Sequence, residues 1–289
     1  MNQVPGNQVL YPVRLGLSRG LRETRQSLTS LQDMSTYLIL AVAFVVVLFF
    51  QRNSTVRGTH VSLAFSVLPG ILGMMVAVTG LTGAAGSLAV EREDGTLLRA
   101  KAVPNGMAGY LTGRIVSVSL GALLGVVVVL VPGMFLIPEL ARTGPVGWLT
   151  FLWVLVLGLL AVLPWGAVIG SLAKSARAVQ GPVMFPIMGV TAISGIFYPI
   201  FALPGWLQGL AQVFPVYWLG LGMRSAFLPG SAAAAEIGGS WRHLEMVAIL
   251  GVWAITGLAV APTVLRRMAR KESGSSMQAR RQRFLQRIG

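Results

Sequence analysis

The sequence predicts an all-α polytopic membrane protein. It has six transmembrane helices, an N-terminal amphipathic surface helix, a short charged cytoplasmic helix, and broken re-entrant helices before the last span. Three observations lead there. The 289 residues are 54% hydrophobic and 11% charged, where a soluble domain is about 25% charged. The 23 Lys and Arg side chains, which leave a net charge of +14, sit in clusters between long charge-free runs. Those clusters are dense and sparse by turns, as the positive-inside bias of a multi-pass chain requires.

The first element is a helix along the membrane surface. In residues 10–32, Leu17, Leu21, Leu28 and Leu31 recur at spacings that form one stripe. Arg19 and Arg22 fall on the far side, while Arg14 and Arg25 flank the stripe, the pattern of an interfacial helix. Residues 1–33 are therefore read as a cytoplasmic tail and surface helix. No signal peptide is expected, since a long polar and basic stretch precedes the first apolar run.

The spans follow from the charge-free runs, because a crossing helix needs about 20 mainly apolar residues and a central Arg, Lys or Asp costs about 2.5–3.5 kcal/mol. These runs are Met34–Phe50, Val61–Val90, Ile115–Pro138, Thr143–Ala173, Ala178–Met223 and Met246–Leu265. They give a membrane domain over residues 34–265, with spans near 34–50, 61–90, 113–138, 148–173, 178–199 and 244–265. The fifth run is long enough for two spans, and charge sidedness decides against a second. With six spans, the eight tail cations from Arg266 to Arg287 share a side with Arg14, Arg19, Arg22, Arg25, Arg92, Arg99, Lys101, Arg114, Lys174 and Arg177. The other side keeps only Arg52, Arg57, Arg142, Arg224 and Arg242. Both termini are then cytoplasmic, and the location is the inner (plasma) membrane. Residues 200–243 form an outer re-entrant region; Pro199, Pro204, Pro215, Gly205, Gly209, Gln208 and Gln212 suit short helices packed in protein rather than lipid-exposed backbone.

Between the second and third spans runs Glu91-Arg92-Glu93-Asp94-Gly95-Thr96-Leu97-Leu98-Arg99-Ala100-Lys101-Ala102-Val103-Pro104. Three of the nine acidic residues fall within four positions. Gly95 permits a sharp turn, Thr96 can cap a new helix, and Pro104 ends it after about two turns. A short, charged element is thus expected just under the membrane, in a loop spanning residues 91–112. Residues 266–289 form a basic cytoplasmic tail able to meet anionic lipid heads.

Several chemistries are excluded or unsupported. There is no cysteine, which rules out disulfides and thiolate sites. His60 and His243 both fall on the outer side and offer no metal cluster. The three lysines follow Ala100, Ala173 and Arg270, so no Gly-Lys phosphate loop exists to hold ATP. The apolar runs hold no ionisable residue for proton or sodium coupling. Gly16-Leu17-Ser18-Arg19-Gly20 matches a hydrolase elbow, but it follows no strand. The tail lacks the aromatic interleaving of a nucleic-acid binder. Gly121/Gly125 and Gly166/Gly170 permit close helix approach, within one subunit or at a dimer face. Pro69, Pro132, Pro164, Pro182 and Pro186 are expected to kink their helices, with hinging or bent packing as the consequence. Phe44, Phe65, Met74, Met184 and Phe185 are candidates for an adaptable apolar cavity.

The acidic string, followed by Tyr110-Leu111-Thr112-Gly113-Arg114, resembles the loop of type 2 ABC-transporter permeases of the daunorubicin-resistance-like kind. Tyr198-Pro199-Ile200-Phe201-Ala202-Leu203-Pro204-Gly205-Trp206-Leu207, then Phe214-Pro215 and Arg224, is similar to that family's segment between its fifth and sixth helices. The resemblance implies a permease without catalytic chemistry, working as a homodimer or with a homologous permease partner. Two cytosolic ABC ATPase subunits per complex would bind ATP and Mg, and this chain would carry no cofactor. Residues Glu91 to Arg99 would form the coupling element on the ATPase, with Arg19, Arg22 and Arg25 of the surface helix as a second contact. Cargo would be a hydrophobic or amphipathic drug, antibiotic or lipid-like molecule, exported through a cavity between subunits. Competing readings are an ion-gradient-driven secondary transporter and an intramembrane hydrolase using Ser18 or His243.

Overall fold

The structure, a computed structural model, describes residues 7–55, 62–102, 106–173 and 175–271. Helices α1 (Asn7–Thr29), α2 (Leu31–Gln51), α3 (Leu63–Glu93), α4 (Thr96–Lys101), α5 (Gly106–Leu136), α6 (Pro138–Ala141) and α7 (Pro145–Leu172) make up the first part. They are followed by α8 (Ala176–Ala178), α9 (Met184–Ile193), α10 (Gly205–Val213), α11 (Pro215–Phe227) and α12 (His243–Lys271). Among the described residues the only extended pairing is an isolated bridge between Thr55 and Ser62. His60, Arg57, Pro104 and Lys174, with the tail beyond Lys271, lie outside the described residues.

Four helices are long and apolar enough to cross a membrane: Leu63–Glu93, Gly109–Leu136, Pro145–Leu172 and His243–Met268. The chain is a multi-pass membrane protein. Two further apolar stretches are shorter, Tyr37–Gln51 and Gly181–Ile193. The second of these runs on from α8 through a π turn and stops six residues short of residue 199. A π turn at Val179–Val183 contains Gly181 and Pro182, and the helix stops at Ile193. Gly195 then takes φ +64°, and the Tyr198 hydroxyl donates back to the Ala192 carbonyl. Pro69, Pro132 and Pro164 lie inside helices that continue past them.

The core is built around α3, whose buried side chains include Phe65, Leu68, Ile71, Leu72, Met75 and Val76. Its neighbours approach closely because both sides are small. A Cβ on Gly166 would lie 2.6 Å from the Leu81 carbonyl oxygen, and one on Gly170 2.5 Å from that of Ala85. Gly125 instead faces the Met75 methyl and the Tyr37 ring. Both glycine pairs thus serve packing inside this chain, where dispersion between close backbones supplies the association that a hydrophobic driving force cannot supply in lipid.

Helix α11 is the most enclosed element, with Tyr217, Trp218, Leu219, Leu221 and Met223 buried between α3, α7 and α12. It runs antiparallel to α12: Ser225 Oγ lies 3.2 Å from His243 Nε2, a Cβ on Gly222 would meet the Met246 sulfur, and the Phe214 ring lies 6.3 Å from that of Trp253. Ten residues of α12 separate His243 from Trp253, or about 15 Å. The α10–α11 break therefore lies about three turns along α12, at a depth where a carbonyl without a partner is costly. Two indoles satisfy it. Trp253 Nε1 donates to the Val213 carbonyl at 2.9 Å, and Trp218 Nε1 to that of Gln212 at 2.7 Å.

Candidate functional site

The acidic stretch after α3 turns as its residues dictate. Asp94 closes α3, its N–H donating to the Val90 carbonyl, and Gly95 supplies the left-handed conformation at φ +77°. The cap of α4 differs from expectation. Asp94 Oδ1, not Thr96, accepts the Thr96 backbone N–H at 2.8 Å, because the aspartate stands two residues earlier in an Asx turn. Thr96 instead accepts from Arg99 Nη2 at 2.9 Å. Leu97 is buried beside Leu88, Tyr110, Leu265 and Met268, so the two-turn helix is pinned to the ends of α3, α5 and α12. The Leu98 side chain lies outside what is described.

The five charges of residues 91–99 separate into two groups. Glu91 is buried, at 7% exposure. It accepts from Arg19 Nη2 at 2.8 Å and from the Tyr110 hydroxyl at 2.5 Å, and pairs with Arg114. Glu23 joins the cluster, 2.7 Å from Arg19 Nε and 3.5 Å from Arg114 Nη1. The Arg19 guanidinium also sits 5.7 Å from the Tyr110 ring centroid. Burial alone would lower the Arg19 pKa, but the hydrogen bond and charge of Glu23, then those of Glu91, hold it above its usual value. Arg92 turns the other way and donates to the Ser171 and Ala173 carbonyls at 3.1 and 3.0 Å. It thereby satisfies the C-terminus of α7, where a cation is favoured. Glu93, Asp94 and Arg99 remain exposed.

Glu91 and Arg92 therefore do not present a charged surface; they fasten the turn to α1, α5 and α7. Arg19 is likewise directed inward, and Arg22 donates to its own helix at Ser18. Of the three surface-helix arginines, only Arg25 is exposed with no described partner. The sequence reading gave Tyr110 and Arg114 no role and passed over Glu23. The signal for Glu23 was present: a lone acid on an arginine-rich helix, four residues after Arg19.

The glycines of the rejected elbow motif acquire a different explanation. A Cβ on Gly16 would lie 2.5 Å from the Gly109 carbonyl oxygen and 2.9 Å from the Gly113 nitrogen, and one on Gly20 would lie 2.8 Å from Gly113 and Val116. The partners ascend together, so α1 and α5 run in the same direction with backbones in contact. This closeness brings Arg19 and Glu23 within reach of Glu91 and Arg114.

At the opposite end of the bundle Arg224, at 5% exposure, forms a two-point pair with Glu236 at 2.6 and 3.2 Å. Its remaining nitrogen faces the Gly195 carbonyl at 3.4 Å. Arg242 donates to Gln212 Oε1 at 2.6 Å and stacks 4.9 Å from the Trp218 ring centroid. Two cavities lie here, one bordered by Tyr198, Arg224 and Glu236, the other by Phe65, Arg142 and Ser225. Of the five apolar cavity candidates, Phe65 alone borders either. Phe44 and Met74 pack against the central core, Met184 is half-buried, and Phe185 is 80% exposed. One chain does not bring the five together.

Residues 17–228 match the protein family described as ABC-2 type transporter. No curated protein matches the chain.

Proposed function

This chain belongs to the ABC-2 type transporter family, and from that premise we propose that it is the membrane permease of an ATP-driven exporter whose motor is a separate cytosolic ATPase. In this reading the Glu91 end of the bundle faces the cytoplasm, both termini lie there, and α2 and α9 complete six spans with their flanking turns. The family makes the chain a membrane transport component rather than a catalyst. The finer parts of the proposal are two ATPase subunits per complex holding ATP and Mg, a second permease copy or homologue, and a hydrophobic or amphipathic cargo.

The observation that carries it is the division of charge around α4. The turn is fixed from behind by Glu91 and Arg92, with Glu93, Asp94 and Arg99 exposed. A rigid, outward-charged lever held by three long helices suits transmission of movement from a partner below. Rigidity matters because removing one partner of a buried ion pair costs about 3–5 kcal/mol. Contact with the ATPase thus passes to Glu93, Asp94, Gly95, Thr96 and Arg99, with Leu97 seating the helix. An uncharged interface between copies, including the exposed Phe185, suits an apolar cargo.

The test is affinity purification of the whole chain in mild detergent with its ATP-binding partner, followed by measurement of ATP hydrolysis. Reversing Glu93 and Arg99 together should leave the chain folded and reduce partner recovery and hydrolysis at least tenfold. Full recovery and hydrolysis in that variant would remove the lever role. Cargo movement by the chain alone, driven by an ion gradient, would remove the ATPase.

A further inference from the structure

Of the described carboxylates at the end of the bundle away from Glu91, Glu236 is paired with Arg224 and Glu245 with Arg242. Glu139 is different. It stands three residues before Arg142, and both are exposed, yet neither side chain forms an ion pair or hydrogen bond with the other or with any described residue. Both border one cavity of about 540 Å³, which also brings together two helix ends of opposite sign. Val146 and Gly147 line it and carry first-turn N–H groups of α7, which no carbonyl of that helix can accept. The N-cap residue, Gly144, has no side chain to accept them. Ala226 and Phe227 line it too and carry last-turn carbonyls of α11. The two ends touch, since a Cβ on Gly147 would overlap the Ala226 carbonyl oxygen. Thr143 Oγ1, enclosed in the same lining, has no partner, where a buried hydroxyl is nearly always satisfied.

We propose that this cavity binds a zwitterion carrying a phosphate and a primary ammonium, the headgroup of an ethanolamine phospholipid. A helix N-terminus favours an anion and a C-terminus a cation. Arg142, two residues before the N-cap, adds a full positive charge to the first, and its guanidinium matches phosphate with paired hydrogen bonds. Glu139 supplies the full negative charge that an ammonium needs, and the α11 carbonyls accept from the same group. A purely anionic headgroup leaves Glu139 opposed, and a purely cationic one leaves Arg142 opposed. The cavity falls within the roughly 300–1,000 Å³ of small-molecule sites. Beside it Val146 and Leu149, 78% and 65% exposed, give acyl chains an apolar path along α7, so the zwitterion is that of a lipid rather than of a soluble amine phosphate. The inference rests on the reading above only for the leaflet, which is the outer one.

The experiment titrates the full chain in detergent with phosphatidylethanolamine or phosphatidylglycerol and counts bound lipid by native mass spectrometry. The parent should bind phosphatidylethanolamine about fivefold more tightly than phosphatidylglycerol, the scale of one exposed charge pair. Glu139→Gln should weaken phosphatidylethanolamine about fivefold and bring the two lipids level, whereas Arg142→Gln should weaken both by about that factor. Arg142→Lys should retain most of the binding. Both residues are exposed, so the variants should melt as the parent does. Equal binding of the two lipids by the parent, or a preference unmoved by Glu139→Gln, would overturn the zwitterion site. Glycerophosphoethanolamine has the headgroup without the acyl chains and should compete weakly; displacement of bound lipid at equal concentration would overturn the lipid as occupant. These outcomes are independent of ATPase recovery in the Glu93 and Arg99 variant, so failure here leaves the permease reading standing.

Discussion

Replacing Glu91 by Gln tests the argument most directly, because shape is kept and one charge is lost. Glu91 is 9% exposed at its side chain and Arg114 19%, so this pair lies in the regime where removing one partner costs about 3–5 kcal/mol. Arg19, with 36% of its side chain exposed, can turn to water, and its share falls to the surface scale of about 0–1 kcal/mol. Glu23 stays 3.5 Å from Arg114 and offsets part of the loss. The net expectation is about 3 kcal/mol, at the low end of the buried range. For a chain of this size that is roughly a 6–12 °C fall in melting temperature, measured in detergent by loss of the monodisperse chromatographic peak on heating. Glu93→Gln, exposed two residues away, should stay within about 0.5 kcal/mol of the parent. Glu91→Gln combined with Arg114→Gln should cost less than the sum of the two alone, since each removes the other's stranded charge. Equal melting of the Glu91 and Glu93 variants, or strict additivity in the cycle, would refute the buried-anchor account.

Other outcomes follow from the same geometry. Asp94→Ala removes the cap of α4 at a cost of about 1 kcal/mol and should weaken recovery of the ATPase while leaving the thermal melt of the bundle almost unchanged. Gly16→Leu forces a side chain into the Gly109 carbonyl and should prevent monodisperse purification, whereas Gly121→Ala, whose nearest neighbour is the Tyr37 hydroxyl at 3.8 Å, should behave as the parent. Trp253→Phe keeps the ring and leaves the Val213 carbonyl without its donor, costing about 1–3 kcal/mol; Trp206→Phe, at a site 71% exposed, should be silent in the same melt. Glu236→Gln leaves Arg224 buried beside a neutral group and should lower the melting temperature by as much as Glu91→Gln.

The charge-free runs locate the long helices because a membrane tolerates few alternatives to an apolar, self-bonded segment. The leucine stripe of α1 and the turn at Gly95 were legible for the same reason: helical period and backbone sterics act locally. The partners of Glu91 were not legible, since they come from residues 72 positions before it and 23 after it, brought together by a glycine contact between α1 and α5. Composition marked 91–99 as one charged element, but depth relative to neighbouring helices divides it into an inner and an outer half. The π turn at Val179–Val183 and the stop at Ile193 were not legible, because Gly181, Pro182 and Gly195 carry no charge and so leave the run unbroken. Trp218 and Trp253 have no role that the sequence marks; their ring nitrogens matter only once the α10–α11 break is seen beside them.

The contact between α1 and α5 has a consequence for synthesis. Gly109 and Gly113 leave the ribosome about 90 residues after Gly20, which at roughly 5–20 residues per second is a delay on the order of 5–20 s. During that interval the first helix has no docking site. Arg19 and Glu23, one turn apart, can already satisfy each other, so the nascent segment waits with these two charges paired and extends that local pairing into the four-group cluster once the later helix arrives.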